Sequence, residues 1–206
     1  MAASQIKVGS RCGSTAGGVG VDVGGAPRKL SSLSSLPKRA KATRIAMGRH
    51  LCVTEPVPWQ EVKNAIDSED VEPLGRSVEM QTIYQKYVAH VNAEYGSVAS
   101  YLMQHALADF IGQGLSANED ENFLFWINEF PYSLGDGVEH WVLWSRRQLQ
   151  PGFVPPETAV RVIKAKFGNS AEWRYFVNAV AKQSVPQLSH AHVLVKRAQA
   201  SIESLS

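Results

Sequence analysis

The stretch that decides the fold is LFWINEFPYSLGDGVEHWVLWSRR, residues 124–147. It contains two runs rich in aromatic and β-branched residues around a Pro/Gly turn, a pattern typical of two strands joined by a loop. His140 lies in the second run, and another histidine-bearing run, SHAHVLV, follows at residues 189–195. Ionisable side chains inside apolar strands are costly to bury unless they are hydrogen-bonded. We therefore expect these two runs to hold both the sheet and the functional chemistry.

Apolar spacing predicts the remaining elements. A three-to-four-residue period, with Gly96 as a break, predicts helices over 59–66, 77–95 and 97–112. A Pro-Pro-Glu start and a glycine end predict one more helix, over 157–167. Short apolar runs predict strands over 123–129, 138–146, 172–177 and 190–196. The predicted fold class is α+β, with N-terminal helices packed on a small antiparallel sheet and one helix inserted.

Positive charge is concentrated in residues 1–50, which carry nine Lys or Arg and one acid. The whole chain has a net charge of +2, so the remainder is acidic by six charges. An acidic folded part argues against binding to a nucleic acid backbone. The chain also lacks a run of about 18 apolar residues, so we predict a soluble protein without a membrane span.

The composition of the first fifty residues predicts an organelle transit peptide. They contain seven Ser, two Thr and eight of the sixteen Gly, and almost no acid, as transit peptides do. The Met-Ala-Ala-Ser start favours a plastid, with the mitochondrion as the alternative destination, and a disordered tail is the alternative to a transit peptide. The predicted organisation is an extension over 1–50, a linker with a short helix over 51–76, and a single domain over 77–198. Cys12 and Cys52 both fall in or beside the extension, so neither a disulfide nor a cysteine zinc site is predicted in the domain.

Strand alternation places the histidines on defined faces. His140 shares a face with Val142 and Trp144, whereas Glu139 points to the opposite face. His190 and His192 share a face of the last strand, so three imidazoles converge if the two strands are neighbours. Such a group can chelate a metal, bind phosphate or transfer protons, and the alternative is that each ring is a hydrogen-bonded structural residue. Because no carboxylate shares this face, we favour a metal-free anion site, and the sequence specifies no cofactor.

The polar side chains near these strands form the predicted site. The acid–base or catalytic candidates are His140, His190 and His192. The ligand-binding candidates are Asn128, Tyr132, Arg146 and Asn178, with Arg146 expected to hold an anionic group.

Three blocks carry a resemblance to a known family. They are Tyr95-Gly-Ser-Val98 with Tyr101-Leu102, Asn128-Glu-Phe-Pro-Tyr132 through His140 to Trp144, and Asn178 followed by Ser184-Val-Pro186 and His190-Ala-His-Val193. In this order they resemble the fungal N-acetylglucosamine-induced protein family, a domain of unknown function, over residues 77–196. Ala179 stands where that family commonly has proline. Members of that family are induced with amino-sugar metabolism in fungi, and the resemblance implies no established reaction.

Two functions are compatible with these observations. In the first, the protein is a small enzyme or ligand-binding protein with a histidine-rich pocket for a sugar-phosphate-like or other anionic metabolite. In the second, it is a non-catalytic organelle protein that binds a protein partner through its aromatic sheet face, and its histidines are structural. Convergence of the imidazoles in a cleft favours the first function, and their dispersal or full burial favours the second.

Overall fold

The structure, a computed structural model, describes residues 44–47 and 50–197. The strands are β1 Arg44–Met47, β2 His50–Val53, β3 Phe123–Ile127, β4 Val138–Ser145, β5 Glu172–Phe176 and β6 His190–Lys196. The α-helices are α1 Trp59–Asp67, α2 Val78–Tyr95, α3 Val98–Tyr101, α4 Ala108–Gly112 and α5 Glu157–Phe167. A π-helical segment, Leu102–Ala106, joins α3 to α4, and 3₁₀ turns lie at Glu119–Asn122 and Val180–Lys182.

The four later strands form one antiparallel sheet in the order β3-β4-β6-β5, and β1 and β2 form a separate hairpin. Strands β4 and β6 are direct neighbours in the sheet, which is the condition for convergence of the histidines. Their register pairs His140 with Leu194, Val142 with His192 and Trp144 with His190. Because paired residues point to the same side of a sheet, all three histidines lie on one face. The α+β fold is confirmed.

The sheet is covered on both faces. Helix α5 packs through Ala159, Ile163 and Phe167 against the face that carries Leu143 and Val193. The histidine-bearing face meets two separate apolar clusters. The first cluster is Val53, Val57, Val62, Ala65, Ile66, Leu74, Phe176 and Leu194, and the second is Ala99, Leu107, Trp144 and Val185.

Local signals explain where the longest helix begins and ends. The Ser77 hydroxyl accepts a hydrogen bond from the backbone N–H of Met80 at 3.1 Å, which caps the start of α2. The helix ends at Gly96, whose φ of 77° is readily adopted only by glycine. The predicted helix over 77–95 is therefore found with nearly the predicted limits.

The single helix predicted over 97–112 is wrong. It is divided into α3, the π segment and α4, because the backbone N–H of Leu107 bonds to the carbonyl of Leu102, five residues back, at 2.7 Å. This wider turn lets Leu107 pack in the core at 2 % exposure while His105 stays exposed and stacks on Tyr101. Tertiary packing here overrides a regular helical period.

Two further boundaries differ from the prediction. Strand β3 ends at Ile127 instead of residue 129, because the Asn128 side chain accepts the backbone N–H of Phe130 at 3.0 Å and starts a turn. Residues 51–76 were predicted to be a linker, but Cys52 and Val53 are buried and Val53 packs beside Leu74.

The predicted boundary at residue 50 falls inside the β1–β2 hairpin. The first 43 residues of the predicted extension lie outside the described residues, so the transit peptide stays a prediction. Across the ranges 44–47 and 50–197, no helix is both long and apolar enough to cross a membrane.

Candidate functional site

The three predicted histidines converge at the centre of the sheet face. The ring centroids of His140 and His192 are 5.1 Å apart, and those of His190 and His192 are 5.7 Å apart. The cause is the β4–β6 register, which sets the three side chains diagonally across two adjacent strands. The convergence expected from strand alternation is present.

Hydrogen-bond partners determine which nitrogens carry hydrogen. The backbone N–H of Tyr132 donates to Nδ1 of His140 at 3.1 Å, so the neutral ring carries its hydrogen on Nε2. That Nε2–H donates to Nδ1 of His192 at 2.9 Å. His192 therefore carries its own hydrogen on Nε2, which lies 3.1 Å from the side-chain amide of Asn178. Since two donors cannot bond to each other, the network assigns the amide oxygen of Asn178 to this contact.

His190 is arranged differently from the other two histidines. Its Nδ1 lies 2.8 Å from the carbonyl oxygen of Leu188, which can only accept, so Nδ1 carries the hydrogen. The lone pair on Nε2 has no hydrogen-bond partner among residues 44–47 and 50–197, and the His190 residue is 9 % exposed. His190 is thus the histidine whose basic nitrogen is available to a ligand.

All three rings are neutral at pH 7. Burial lowers the pKa of His140 to about 3, and the nearby Arg76 cation acts in the same direction. Burial also lowers the pKa of His192 well below its ordinary value, as do the neighbouring imidazoles and Arg76. For His190, burial lowers the pKa and the bond to the Leu188 carbonyl partly opposes that shift. The cluster is a neutral set of donors and acceptors.

A cavity of about 430 Å³ lies between the histidine-bearing face and the helical wall formed by α2, α3 and the π-helical segment. Its volume is in the range of small-molecule sites. His190 and His192 line it, whereas His140 is 2 % exposed and lies behind them. Much of the wall is aromatic or apolar, including Tyr84, Tyr87, Tyr101, Leu102, Trp126 and Trp144. A second depression, of about 530 Å³ beside β5, contains none of the predicted site residues.

Arg76 provides the positive charge of this cavity. Its Nε donates to the carbonyl of Phe130 at 2.9 Å and its Nη1 to Oε1 of Gln81 at 3.3 Å. The guanidinium lies over the ring of Tyr84, 4.1 Å from the centroid. Within the described part of the chain it forms no ion pair with a carboxylate. Burial lowers the pKa of Arg76 from its ordinary value, although the group stays charged.

The backbone around Gly75 sets the position of Arg76. A Cβ at Gly75 would come within 2.8 Å of the carbonyl oxygen of Leu51, so only glycine allows this approach to β2. The carbonyl of Arg76 accepts the N–H of Val53 at 3.0 Å, and that of Gly75 accepts the N–H of Ser133 at 2.8 Å. The segment is therefore tied on both sides, and Arg76 points its charge into the cavity.

The other predicted ligand residues fall in three places. Asn128 lines the cavity, and its Oδ1 accepts the N–H of Phe130, so its Nδ2 faces Nε2 of His140 at 3.2 Å as a contact between two donors and not as a hydrogen bond. Tyr132 and Asn178 do not line it, but they support the histidines through the hydrogen bonds described above. Arg146 lies apart from the cavity, because its Nε donates to the carbonyl of Phe110 at 2.6 Å and its guanidinium covers the Phe110 ring at 4.4 Å.

The histidines do not present a ready set of metal ligands. Both nitrogens of His140 and of His192 are used in hydrogen bonds. Within residues 44–47 and 50–197, no three His, Cys, Asp or Glu side chains are placed to hold a metal ion. Glu139 points to the other face, as predicted, where it bonds with Trp141 and Arg197.

Sequence reasoning missed Arg76 and the helical wall of the cavity. Two signals were present in the sequence. Arg76 is the first basic residue after the acidic stretch 67–72, and it immediately precedes the helix-capping Ser77. Tyr84 and Tyr87 are three residues apart on α2, which places them on one helical face.

The fold and site define a class of α+β proteins in which a neutral histidine cluster on an antiparallel sheet faces a helix-covered cavity. Residues 58–196 match the family described as Protein of unknown function (DUF3605), and the chain belongs to that family.

Two relatives are similar over most of this range. The chain is 28% identical over 162 residues to "Uncharacterized protein YPL067C" of Saccharomyces cerevisiae, covering 66% of this chain and 77% of that protein. It is also similar to a solved structure titled "Crystal Structure of HTC1", with a TM-score of 0.51 and 25% identity, covering 71% of this chain and 90% of that one. These likenesses support the fold and attach no activity to it.

Proposed function

We propose that this protein binds a small anionic metabolite in the cavity between the sheet and the helical wall of α2, α3 and the π-helical segment. The observation that carries this proposal is Arg76, a partly buried guanidinium that lines the cavity and has no carboxylate partner in the described ranges. Removing a charge from water is unfavourable unless an opposite charge compensates it. An anionic ligand supplies that charge at the edge of the guanidinium that faces the cavity.

His190 gives the same cavity acid–base chemistry, so the protein is proposed to be a small enzyme as well as a binder. Its unprotonated Nε2 can accept a proton from a ligand O–H or N–H placed within hydrogen-bond distance. The bond from Nδ1 to Leu188 fixes the tautomer and orients the ring. His140 and His192 exchange no proton with the ligand in this proposal, because both nitrogens of each ring are already hydrogen-bonded. They are positioning residues.

One observation favours the alternative, a non-catalytic protein with structural histidines that binds a partner. The chain of hydrogen bonds from Tyr132 through His140 and His192 to Asn178 is satisfied without a ligand. That chain explains two of the three histidines. It does not explain why, among the described residues, the Nε2 of His190 has no hydrogen-bond partner and the charge of Arg76 has no carboxylate partner, so the ligand-binding function is the better supported one.

A ligand-stabilisation screen tests the proposal. The full chain is heated with sugar phosphates (glucosamine 6-phosphate among them), nucleotides and monocarboxylates, and the melting temperature is recorded. We expect an anion to raise the melting temperature of the wild type and to lose that effect in Arg76→Gln. Arg147→Gln is the matched control, because Arg147 is exposed and bonded to Glu119, away from the cavity. Equal stabilisation of the wild type and Arg76→Gln by every anion would contradict the proposal.

We also propose that the chain is imported into an organelle, a plastid in the first place and a mitochondrion as the alternative. The support is the basic, serine-rich and acid-poor composition of residues 1–50. A fusion of these residues to a fluorescent reporter is expected to enter the organelle, and a reporter that stays in the cytosol would refute the proposal. The ligand screen includes amino-sugar phosphates because the chain resembles N-acetylglucosamine-induced proteins. Membership of that narrower family is likewise a proposal.

A further inference from the structure

We infer that the ligand is a hydroxyaryl monocarboxylate: a flat aromatic body with one carboxylate, bound by Arg76, and one hydroxyl group, bound by His190. This inference rests on the proposed function and names the ligand class for the same cavity. Three properties of the cavity support it. They are its charge, its aromatic walls, and the presence in its lining of both a cationic N–H donor, Arg76, and an acceptor nitrogen, Nε2 of His190.

The charge of the cavity matches a monoanion. Arg76 is the lining residue with a permanent positive charge, and Glu129, which also lines the cavity, is exposed to solvent. His190 and His192 are neutral and add no charge at pH 7. A phosphate monoester carries close to two negative charges at this pH. One guanidinium neutralises the single negative charge of a carboxylate. With a phosphate monoester it would leave close to one negative charge without a partner in a half-buried site.

The free N–H donors of Arg76 suit a carboxylate in hydrogen bonding as well as in charge. Its Nε and one hydrogen of Nη1 are used by Phe130 and Gln81. The Nη2 group has no hydrogen-bond partner among the described residues. One hydrogen of Nη1 and both hydrogens of Nη2 remain, so the guanidinium keeps three N–H donors for the oxygens of a carboxylate.

The walls of the cavity suit an aromatic body. Tyr87 packs against Phe130 at 4.7 Å between ring centroids, and both line the cavity together with Tyr101, Trp126 and Trp144. Flat apolar rings pack favourably on such surfaces in offset or edge-on arrangements. A sugar would bring several hydroxyl groups, each of which needs a hydrogen-bond partner once it leaves water. Polar groups are present in the lining, but the larger part of its surface is apolar, so hydroxyls packed against that part would stay unsatisfied.

His190 is the reason for placing a hydroxyl group on the proposed ligand. Its Nε2 presents a lone pair, which repels a carboxylate oxygen and attracts an O–H donor. A ligand that satisfies both ends therefore carries its anion at Arg76 and a hydroxyl at His190. No bond is made or broken in this assignment.

Calorimetric titration of the full chain with four probes tests the inference. The probes are 4-hydroxycinnamate, cinnamate without the hydroxyl, 4-hydroxycinnamamide without the charge, and glucosamine 6-phosphate. We expect 4-hydroxycinnamate to bind most tightly. Loss of the hydroxyl should weaken binding by about two- to tenfold, and loss of the charge by at least about tenfold, as for neutral and charged hydrogen bonds.

Two variants assign these losses to residues. In Arg76→Gln the acid and the amide should bind alike. In His190→Asn the hydroxylated and unhydroxylated acids should bind alike, because the asparagine amide can keep the bond to Leu188 while Nε2 is removed. Arg147→Gln should bind as the wild type does. If His190→Asn fails to fold, the comparison of 4-hydroxycinnamate with cinnamate on the wild type still decides the hydroxyl assignment.

The outcomes separate the inference from the proposed function. Binding of glucosamine 6-phosphate that depends on Arg76, without binding of the aryl acids, would overturn the hydroxyaryl carboxylate and leave the anion site standing. Equal affinity for 4-hydroxycinnamate and cinnamate would overturn the role given to His190 Nε2. Absence of any Arg76-dependent binding among the four probes and in the wider ligand screen would overturn both proposals.

Discussion

Acidification from pH 7.5 to pH 5 is expected to destabilise this protein through its buried histidines, and His140 permits a quantitative prediction. This side chain is 2 % exposed, and its pKa in the folded protein is about 3 against an ordinary value of 6.5. Below pH 6.5 the unfolded chain therefore binds a proton that the folded chain does not bind. The stabilisation is complete above pH 6.5 and is lost progressively as the pH falls towards 3.

The magnitude follows from the shift. Each pKa unit corresponds to about 1.4 kcal/mol, and pH 5 lies 1.5 units below the ordinary value of 6.5. His140 alone should therefore remove about 2 kcal/mol from the free energy of unfolding between pH 7.5 and pH 5. The pKa values of His190 and His192 are shifted in the same direction, so the loss in the wild type should be at least this large.

His140→Gln isolates the effect. A glutamine side chain offers one acceptor for the N–H of Tyr132 and a donor for Nδ1 of His192, but it does not titrate. Urea unfolding followed by tryptophan fluorescence at both pH values should show a pH-dependent loss about 2 kcal/mol smaller than that of the wild type. His90→Gln is the control for the histidine-to-glutamine change itself, because His90 is exposed on α2 and lies outside the histidine cluster. Equal losses in the wild type and His140→Gln would refute the neutral, buried state assigned to His140.

Four further substitutions test the fold. Gly96→Ala should cost about 1–2 kcal/mol because φ is 77°, whereas Gly112→Ala, with an open environment, should be neutral or stabilising. Ile163→Ala, at 0 % exposure under the sheet, should cost about 2–5 kcal/mol. Arg147→Ala breaks an exposed ion pair with Glu119 and should cost less than about 1 kcal/mol. Urea unfolding measures the change in the free energy of unfolding for each variant. A change outside the range given for a variant would contradict the environment assigned to that residue.

The sheet and the histidine cluster were predictable because strands have a rigid period of two. Once the runs around His140 and His192 are read as strands, alternation assigns the face of each side chain, and one assumption of adjacency brings the imidazoles together. The pairing of Val142 with His192 meets that assumption. The ends of α2 were predictable for a similar reason, since a capping serine and a left-handed glycine act locally.

Long-range contacts were not predictable from local pattern. The cavity depends on Arg76 meeting the carbonyl of Phe130, 54 residues later, and nothing in either neighbourhood specifies that contact. Arg146 illustrates the opposite case: it directly follows the strand that carries His140, yet its side chain turns to the carbonyl of Phe110. The π segment also escapes prediction, because its extra residue is accommodated by the burial of Leu107 in the core.

The central claim is that His190 presents a bare, neutral imidazole nitrogen to an anion-binding cavity. The most direct measurement is ¹⁵N NMR of the full chain labelled at its histidines, at pH 7, with His190 assigned by comparison with His190→Asn. We predict a neutral His190 with hydrogen on Nδ1 and none on Nε2, and an Nε2 resonance that shifts when 4-hydroxycinnamate is added to the wild type but not to Arg76→Gln. A His190 that is protonated on both nitrogens at pH 7, or an Nε2 resonance that does not respond to any anion that stabilises the protein, would contradict the claim.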